Sequence, residues 1–283
     1  MNVNNNKFKP GLYCVATPIG NMGDISFRAI KILQESDLIL CEDTRVTKKI
    51  LQKFEINKQL ISNHKFNENK NLEKVIELLK NNKIVSLVSD AGTPAVSDPG
   101  RILVKECVKN RINIFPIPGA SAVSSVISIS GFSDNSYFCG FLSEKQNQVK
   151  KLFKNLSSIQ CSIVFFISPN KLVKRIEDIK EFFSDRDTLI CREITKYHED
   201  YIRTPVKEFS NVNFSIQCEI TVVISEAKKE KLSFKELEES DKKKINKLIK
   251  KMSIKDIVKK VSEDREISKK LIYNYCLEVR NEN

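Results

Sequence analysis

Glycine and proline are scarce in this 283-residue chain, eight of each, and they gather in short segments where the backbone itself can do chemistry. The first is Thr17-Pro18-Ile19-Gly20-Asn21. The second runs from Ser89-Asp90-Ala91-Gly92-Thr93-Pro94 through Ser97-Asp98-Pro99-Gly100, and the third is Pro116-Ile117-Pro118-Gly119-Ala120-Ser121-Ala122. Small residues let a ligand approach the main chain, where bare amides hold an adenine edge or a carboxylate without help from side chains. One such segment is an ordinary turn or helix cap; three in one half of a chain, each following a predicted strand, make a pocket. A fourth cluster, Cys41-Glu42-Asp43-Thr44-Arg45, sets two carboxylates and a guanidinium at another strand end. Asp43 suits a helix N-cap, whereas Glu42 has no capping role and is placed to orient a hydroxyl at the pocket rim.

Motifs that announce other chemistries are missing. The sequence has no G-x-G-x-x-G after a strand, no G-x-x-x-x-G-K-[ST] and no H-E-x-x-H. His64 and His198 are its two histidines, and no nucleophile-elbow sequence accompanies them. Eight cysteines are scattered singly with no C-x-x-C pair, which points to buried thiols and to no metal site.

The elements that must position these loops follow from hydrophobic periodicity. Leu12 to Ala16, Leu38 to Cys41, Ile84 to Val88 and Ile112 to Pro116 read as buried strands. Between them Ser26 to Glu35, Thr44 to Phe54, Leu72 to Asn81 and Arg101 to Asn110 carry apolar residues at helical spacing. Strands alternating with helices argue for α/β layers on a largely parallel sheet, whose ligand crevice lies at the strand C-terminal ends. After Gly131 the alternation restarts, with strands at Tyr137 to Phe141, Ser162 to Ile167, near Thr188 to Cys191 and near Glu219 to Ser225. Helices lie near Gln148 to Leu156 and at Leu172 to Phe183. From Glu226 onward the chain holds 17 Lys or Arg against 12 Asp or Glu, without Gly or Pro, and reads as helical, ending in a pair of short helices joined near Arg265. The expected organisation is an N-terminal α/β domain over 1–127, a second α/β domain over 128–227 and a small basic helical domain over 228–283.

Hydrophobic residues make up 41% and charged residues 30%, which excludes a disordered chain. Met1 to Pro10 is polar and Asn-rich, and no run of eighteen apolar residues follows, so a cytoplasmic protein without a membrane span is expected. The net charge of +12 fits a polyanionic partner, since Lys and Arg that neutralise phosphates release condensed counterions. The same excess of Lys, Asn and Ile also fits the coding bias of an AT-rich genome.

Taken together, Thr17 to Asn21, Glu42-Asp43-Thr44-Arg45, Ser89 to Pro94 with Ser97 to Gly100, and Pro118-Gly119 resemble the tetrapyrrole methylase family. Within it they are more similar to members that methylate the 2′-hydroxyl of a cytidine in 16S rRNA than to the cobalamin and sirohaem enzymes. The likeness continues through His64, Asn67-Glu68, Gly140-Phe141-Leu142, Arg192 to Lys196, Glu219 and Ser268 to Tyr275. One stretch departs from the pattern: where the family commonly shows F-Y-E-S-x-H-R, this chain has Phe165-Phe166-Ile167-Ser168-Pro169-Asn170-Lys171.

The resemblance implies two α/β domains with S-adenosyl-L-methionine folded in the cleft between them, a homodimer, and a C-terminal module that helps to grip RNA. It implies that Pro18, Gly20 and Asn21 line one wall, and that Ala91, Gly92, Thr93 and Val96, with Asp90 beside them, meet the amino-acid end and sulfonium. Ser121 and Ala122 continue the pocket, and residues near Ile167 and Glu219 contribute from the second domain. Methyl transfer is an in-line displacement, so alignment is the main requirement and a proton acceptor for the attacking hydroxyl is the second. Glu42, Asp43 and Asp90 are the candidate acceptors, and Arg45 and Lys196 the cations for phosphate or a developing oxyanion. The partner expected is 16S rRNA in the small ribosomal subunit. A small-molecule methyltransferase on the same fold and a catalytically silent RNA-binding protein are the alternatives.

Overall fold

Five strands of almost uninterrupted apolar residues build the first sheet: β1 (Gly11–Val15), β2 (Leu38–Cys41), β3 (Leu60–Ser62), β4 (Ile84–Val88) and β5 (Ile114–Ile117). All pair in parallel, in the order β3-β2-β4-β1-β5. Leu38, Ile39, Leu40 and Cys41 are all buried because helices cover both faces of a parallel sheet. Those helices are α1 (Phe27–Glu35), α2 (Thr44–Lys53), α3 (Leu72–Lys80) and α4 (Arg101–Lys109). Each shows one apolar stripe; on α1 it is Ala29, Ile32 and Leu33, below an N-terminus closed by Ser26, whose hydroxyl accepts the N–H of Ala29 at 3.1 Å.

The computed structural model describes residues 8–212, 218–228, 237–249, 251–264 and 269–281. A second sheet follows, from β6 (Ser136–Phe141), β7 (Ser162–Ile167), β8 (Asp187–Arg192), β9 (Asp200–Pro205) and β10 (Ile220–Ile224), in the order β6-β7-β10-β8-β9. Here only β6 and β7 are parallel; the other three pairings are antiparallel. The repeat of the first half is therefore not continued. β8 and β9 are joined by a short loop, which permits only an antiparallel pair. Helices α6 (Gln146–Ser157) and α7 (Pro169–Phe183) pack on this sheet through Phe153, Leu172, Ile179 and Phe183.

Between the sheets lies α5 (Ala122–Ser130), which begins in the third small-residue segment. Its Val126 is fully buried with Val164, Leu189, Cys191 and Val223 of the second sheet. The residue 127/128 division thus falls inside a helix that packs on the second sheet, and residues 1–227 form one compact unit. The second unit, Lys228–Asn283, holds α8 (Glu239–Leu248), α9 (Ile254–Asp264) and α10 (Lys269–Asn281) around Ile245, Ile257, Val261, Ile272 and Cys276. The expected joint near Arg265 lies outside the described residues.

Three elements are not anticipated by the sequence pattern. β3 is three residues long, β9 is a polar edge strand, and α5 is rich in Ser, Val and Ile, which are weak helix formers. Burial on the second sheet and the Ser121 cap decide the last. Among the described residues, no helix is long and apolar enough to cross a membrane.

Candidate active site

The C-terminal ends of β1, β2 and β4 carry the first segments, and two of them are stitched together. Thr17 and Gly92 exchange main-chain hydrogen bonds of 2.9 and 3.1 Å, and the buried Thr17 hydroxyl donates to the Ser89 carbonyl at 3.1 Å. Gly92 adopts φ +80°, in the left-handed region that favours glycine. β2 is fastened to the same corner: the Asp43 N–H donates to Asp90 Oδ1 at 3.0 Å.

Facing these ends across a cleft of about 320 Å³ is the second sheet. The first half supplies Ile19, Glu42, Asp90, Ala91, Gly92, Thr93, Val96, Asp98, Ser121, Ala122 and Val123. The second half supplies Phe141, Phe166, Ile167, Ser168, Ile194 and the stretch Cys218-Glu219-Ile220-Thr221. The first wall carries Glu42, Asp90 and Asp98, and the second is mostly apolar apart from Glu219. The stretch that departs from the family pattern lies on this second wall, where Phe166 and Ile167 stand in place of a tyrosine and a glutamate.

Two close glycine contacts flank the cleft. A Cβ on Gly20 would lie 2.6 Å from Lys196 Cγ and 2.7 Å from Thr195 Oγ1; one on Gly140 would lie 2.8 Å from Ser97 Oγ. Each glycine therefore lets one half touch the other. Beside these contacts the backbone is strained: Ala95 and Ser97 have φ of 64° and 65°, Glu193 and Thr195 have 49° and 63°. The first pair brackets Val96 and the second brackets Ile194, so each strained loop delivers an apolar side chain to the cleft.

The carboxylates divide into two kinds. Burial raises the proton affinity of Glu42, and the nearby Asp90 charge adds to this. Asp90 is raised for the same first reason, tempered by the Asp43 N–H. Asp98 shifts most, to about 6, through burial and then the Glu42 charge, with a hydrogen bond from Ser89 opposing. Asp43 is the opposite case. Its carboxylate accepts hydrogen bonds of 2.6 to 3.1 Å from the Arg45 guanidinium and 2.8 Å from the Arg45 N–H, which together hold it at about 2.

Of the residues anticipated from sequence, Glu42, Asp90, Ala91, Gly92, Thr93, Val96, Ser121, Ala122, Ile167 and Glu219 line the cleft together. Pro18 is buried behind it, and Gly20 and Asn21 sit at its flank, where the Asn21 N–H donates to Thr195 Oγ1 at 3.1 Å. Asp43 and Arg45 are outside the lining; Asp43 caps α2, and the Arg45 side chain is 86% exposed. Lys196 is also outside the lining, in ion pairs with Glu219 at 3.1 Å and Glu193 at 3.3 Å. Burial opposes its charge, and the two carboxylates more than offset that. Asp98 is the residue that sequence reasoning missed as an acceptor. Its signal was present: an Asp in the Ser97-Asp98-Pro99-Gly100 turn that leads into α4 at the end of the second segment.

The two-sheet fold is that of solved methyltransferases. Uroporphyrin-III C-methyltransferase from Thermus thermophilus, solved in complex with S-adenyl homocysteine, matches at a TM-score of 0.55 and 13% identity, covering 76% of this chain and 97% of that one. The chain belongs to the tetrapyrrole (corrin/porphyrin) methylase family, whose model matches residues 11–210. Among its relatives is the ribosomal RNA small subunit methyltransferase I of Thermotoga maritima, 44% identical over 218 residues, 76% of this chain and 97% of that protein. The Bacillus subtilis protein of the same name is 35% identical over 271 residues, 93% of this chain and 92% of its own.

Proposed function

We propose that this protein transfers a methyl group from S-adenosyl-L-methionine to RNA of the small ribosomal subunit, at the 2′-hydroxyl of a cytidine in 16S rRNA. The observation that carries the reading is the pairing of three carboxylates, Glu42, Asp90 and Asp98, with an apolar wall in one cleft. That combination suits a ligand that is cationic at one point and aromatic at another, and disfavours an anionic one.

The residues present fit such a cofactor. Ala91, Gly92 and Thr93 line the part of the cleft that would take its amino-acid end, and Val96, Ile167, Ile194 and Ile220 provide dry surface for its nucleoside. When bound, it supplies an electrophilic methyl carbon on a sulfonium. Asp98 accepts the proton of the attacking hydroxyl, since its carboxyl is poised nearest to neutral pH. Glu42 and Asp90 hold negative charge beside the sulfonium. Pro18, Gly20 and Asn21 shape the flank, and Lys196 fixes Glu219 at the rim. Asp43 aims Arg45, which is exposed and ready for an RNA phosphate. The reading places the enzyme in the cytoplasm, as a homodimer, with the basic helical unit adding grip on the subunit.

Incubation with methyl-labelled cofactor and purified small subunits tests this. Label should enter 16S rRNA and survive in an alkali-resistant dinucleotide, because a 2′-O-methyl blocks alkaline cleavage. Label in a base, only in a small molecule, or nowhere overturns the assignment.

A further inference from the structure

A second cavity, of about 250 Å³, adjoins the cleft and shares Ile167 with it. Its cations are Lys171, Lys174 and Arg175, which lie at i, i+3 and i+4 on α7 and so on one helix face. One carboxylate, Glu144, lines it as well. Lys171 pairs with Glu144 at 2.8 Å; Arg175 donates to the Glu144 carbonyl at 2.6 Å and to Asp178 at 3.2 Å. Among the described residues Lys174 has no ion-pair partner. With Arg175 offset by Asp178 and Lys171 by Glu144, Lys174 leaves the cavity positive, and the N-terminal end of α7 adds to that sign.

The neighbouring cleft is negative. Glu42, Asp90 and Asp98, with Glu219 offset by Lys196, suit a sulfonium and repel phosphates, yet a ribose 2′-oxygen reaches the cleft only with its own 3′-phosphate a few bonds behind. Lys196 is held by Glu193 and Glu219, and Arg45, clamped by Asp43, lies outside the cleft lining. Further positive charge adjoins the cleft in the cavity under α7, which shares Ile167 with it.

We propose that this basic cavity is the subsite for the RNA backbone phosphate next to the ribose being methylated, with Lys174 and Lys171 as its direct ligands. The assignment rests on the RNA-methylation reading. Arg175 is a positioning residue, fixing the strand-loop that carries Glu144.

The test uses the full chain, purified small subunits and a salt series. Lys171→Ala combined with Lys174→Ala, and Lys174→Gln alone, should raise KM for subunits, about tenfold in the double variant. The dependence of log KM on log salt should flatten by about 1, the share of one to two phosphate contacts. Cofactor affinity by calorimetry should be unchanged, and Lys174→Arg should retain wild-type KM. Lys80→Ala with Lys105→Ala, on α3 and α4, removes the same net charge and should leave KM alone. Wild-type KM and salt slope in both cavity variants, or an equal rise in the α3 and α4 control, overturns the subsite. A wild-type protein that binds cofactor and methylates no subunit RNA overturns the functional reading instead.

Discussion

The Asp43 N–H donates to Asp90 Oδ1 at 3.0 Å, tying the end of β2 to the end of β4. Through that bond two segments 47 positions apart become one corner of the cleft, and Asp90 is aimed by backbone. Asp90→Ala should lower cofactor affinity about tenfold or more, the worth of one charge-assisted interaction, and should reduce the melting temperature because the Asp43 N–H loses its acceptor. Asp90→Asn keeps an acceptor for that N–H. It should restore the melting temperature without restoring affinity, and calorimetry beside a thermal melt separates the two effects.

Asp98 gives the sharpest pH prediction. Asp98→Asn should lower kcat by about 10²- to 10⁴-fold, the usual worth of a positioned base, with cofactor affinity altered far less. In the wild type, kcat/KM should rise with pH through about 6 as the carboxylate forms. The same group sets a stability sign. Its carboxyl is raised from 3.8 in the folded chain, so its favourable contribution is complete below 3.8 and lost as pH climbs through about 6. Asp98→Asn should therefore melt higher than wild type at pH 7.5 and together with it near pH 3.5. Equal melting temperatures at both pH values would show that burial does not perturb this group.

At Gly20 the prediction is steric. A Cβ there would press on Lys196 Cγ, Thr195 Oγ1 and the Ile194 carbonyl, all within 3.0 Å. Gly20→Ala must push the 193–196 loop outward and draw Ile194 away from the cleft. A rise in KM for cofactor of about tenfold is expected, the scale of one displaced apolar contact, with kcat changing less. Unaltered KM would mean that the loop yields without moving Ile194.

Asp43 and Arg45 separate holding from chemistry. A carboxylate held at about 2 is a weak proton acceptor at neutral pH. Asp43→Asn should leave the pH–rate limb near 6 in place while KM for subunits rises, because Arg45 is no longer clamped. Arg45→Ala should raise the same KM about tenfold, as loss of a guanidinium–phosphate contact does. A shifted pH limb in Asp43→Asn would return that residue to the role of base.

How far the site is legible in sequence depends on what each residue does. Loop residues that are small because a ligand or another backbone comes close, such as Ala91, Gly92 and Ser121, announce themselves by composition and by following apolar strands. Glu42 stands out because no local structural role explains it. Phe166, Ile194 and Thr221 do not stand out, since an apolar residue facing a cleft reads the same as one facing a core. Four of the five strands of the first sheet follow from apolar runs, whereas the short β3 and the polar edge strand β9, paired only with β2 and β8 respectively, have no local signature. α5 is the clearest tertiary override: Ala-Val-Ser-Ser-Val-Ile-Ser-Ile-Ser would suit a strand, and it is helical because Val126 packs on the second sheet.

The basic helical unit offers a last test. Lys228–Asn283 has its own core, with Ile245, Ile257 and Ile272 fully buried, and the cleft-lining residues all lie before it. A chain ending at Ala227 should keep wild-type cofactor affinity. The charges it loses include Lys242, Lys243, Lys244, Lys259, Lys260, Lys269 and Lys270; each that meets a phosphate adds about 0.7 to 0.9 to the salt slope of RNA binding. Solvated helix faces account for many such charges, so the slope should fall by far fewer than seven steps. A truncated chain with wild-type subunit affinity at every salt concentration would confine RNA recognition to the first 227 residues and leave Arg45 and the cavity under α7 as its cationic contacts.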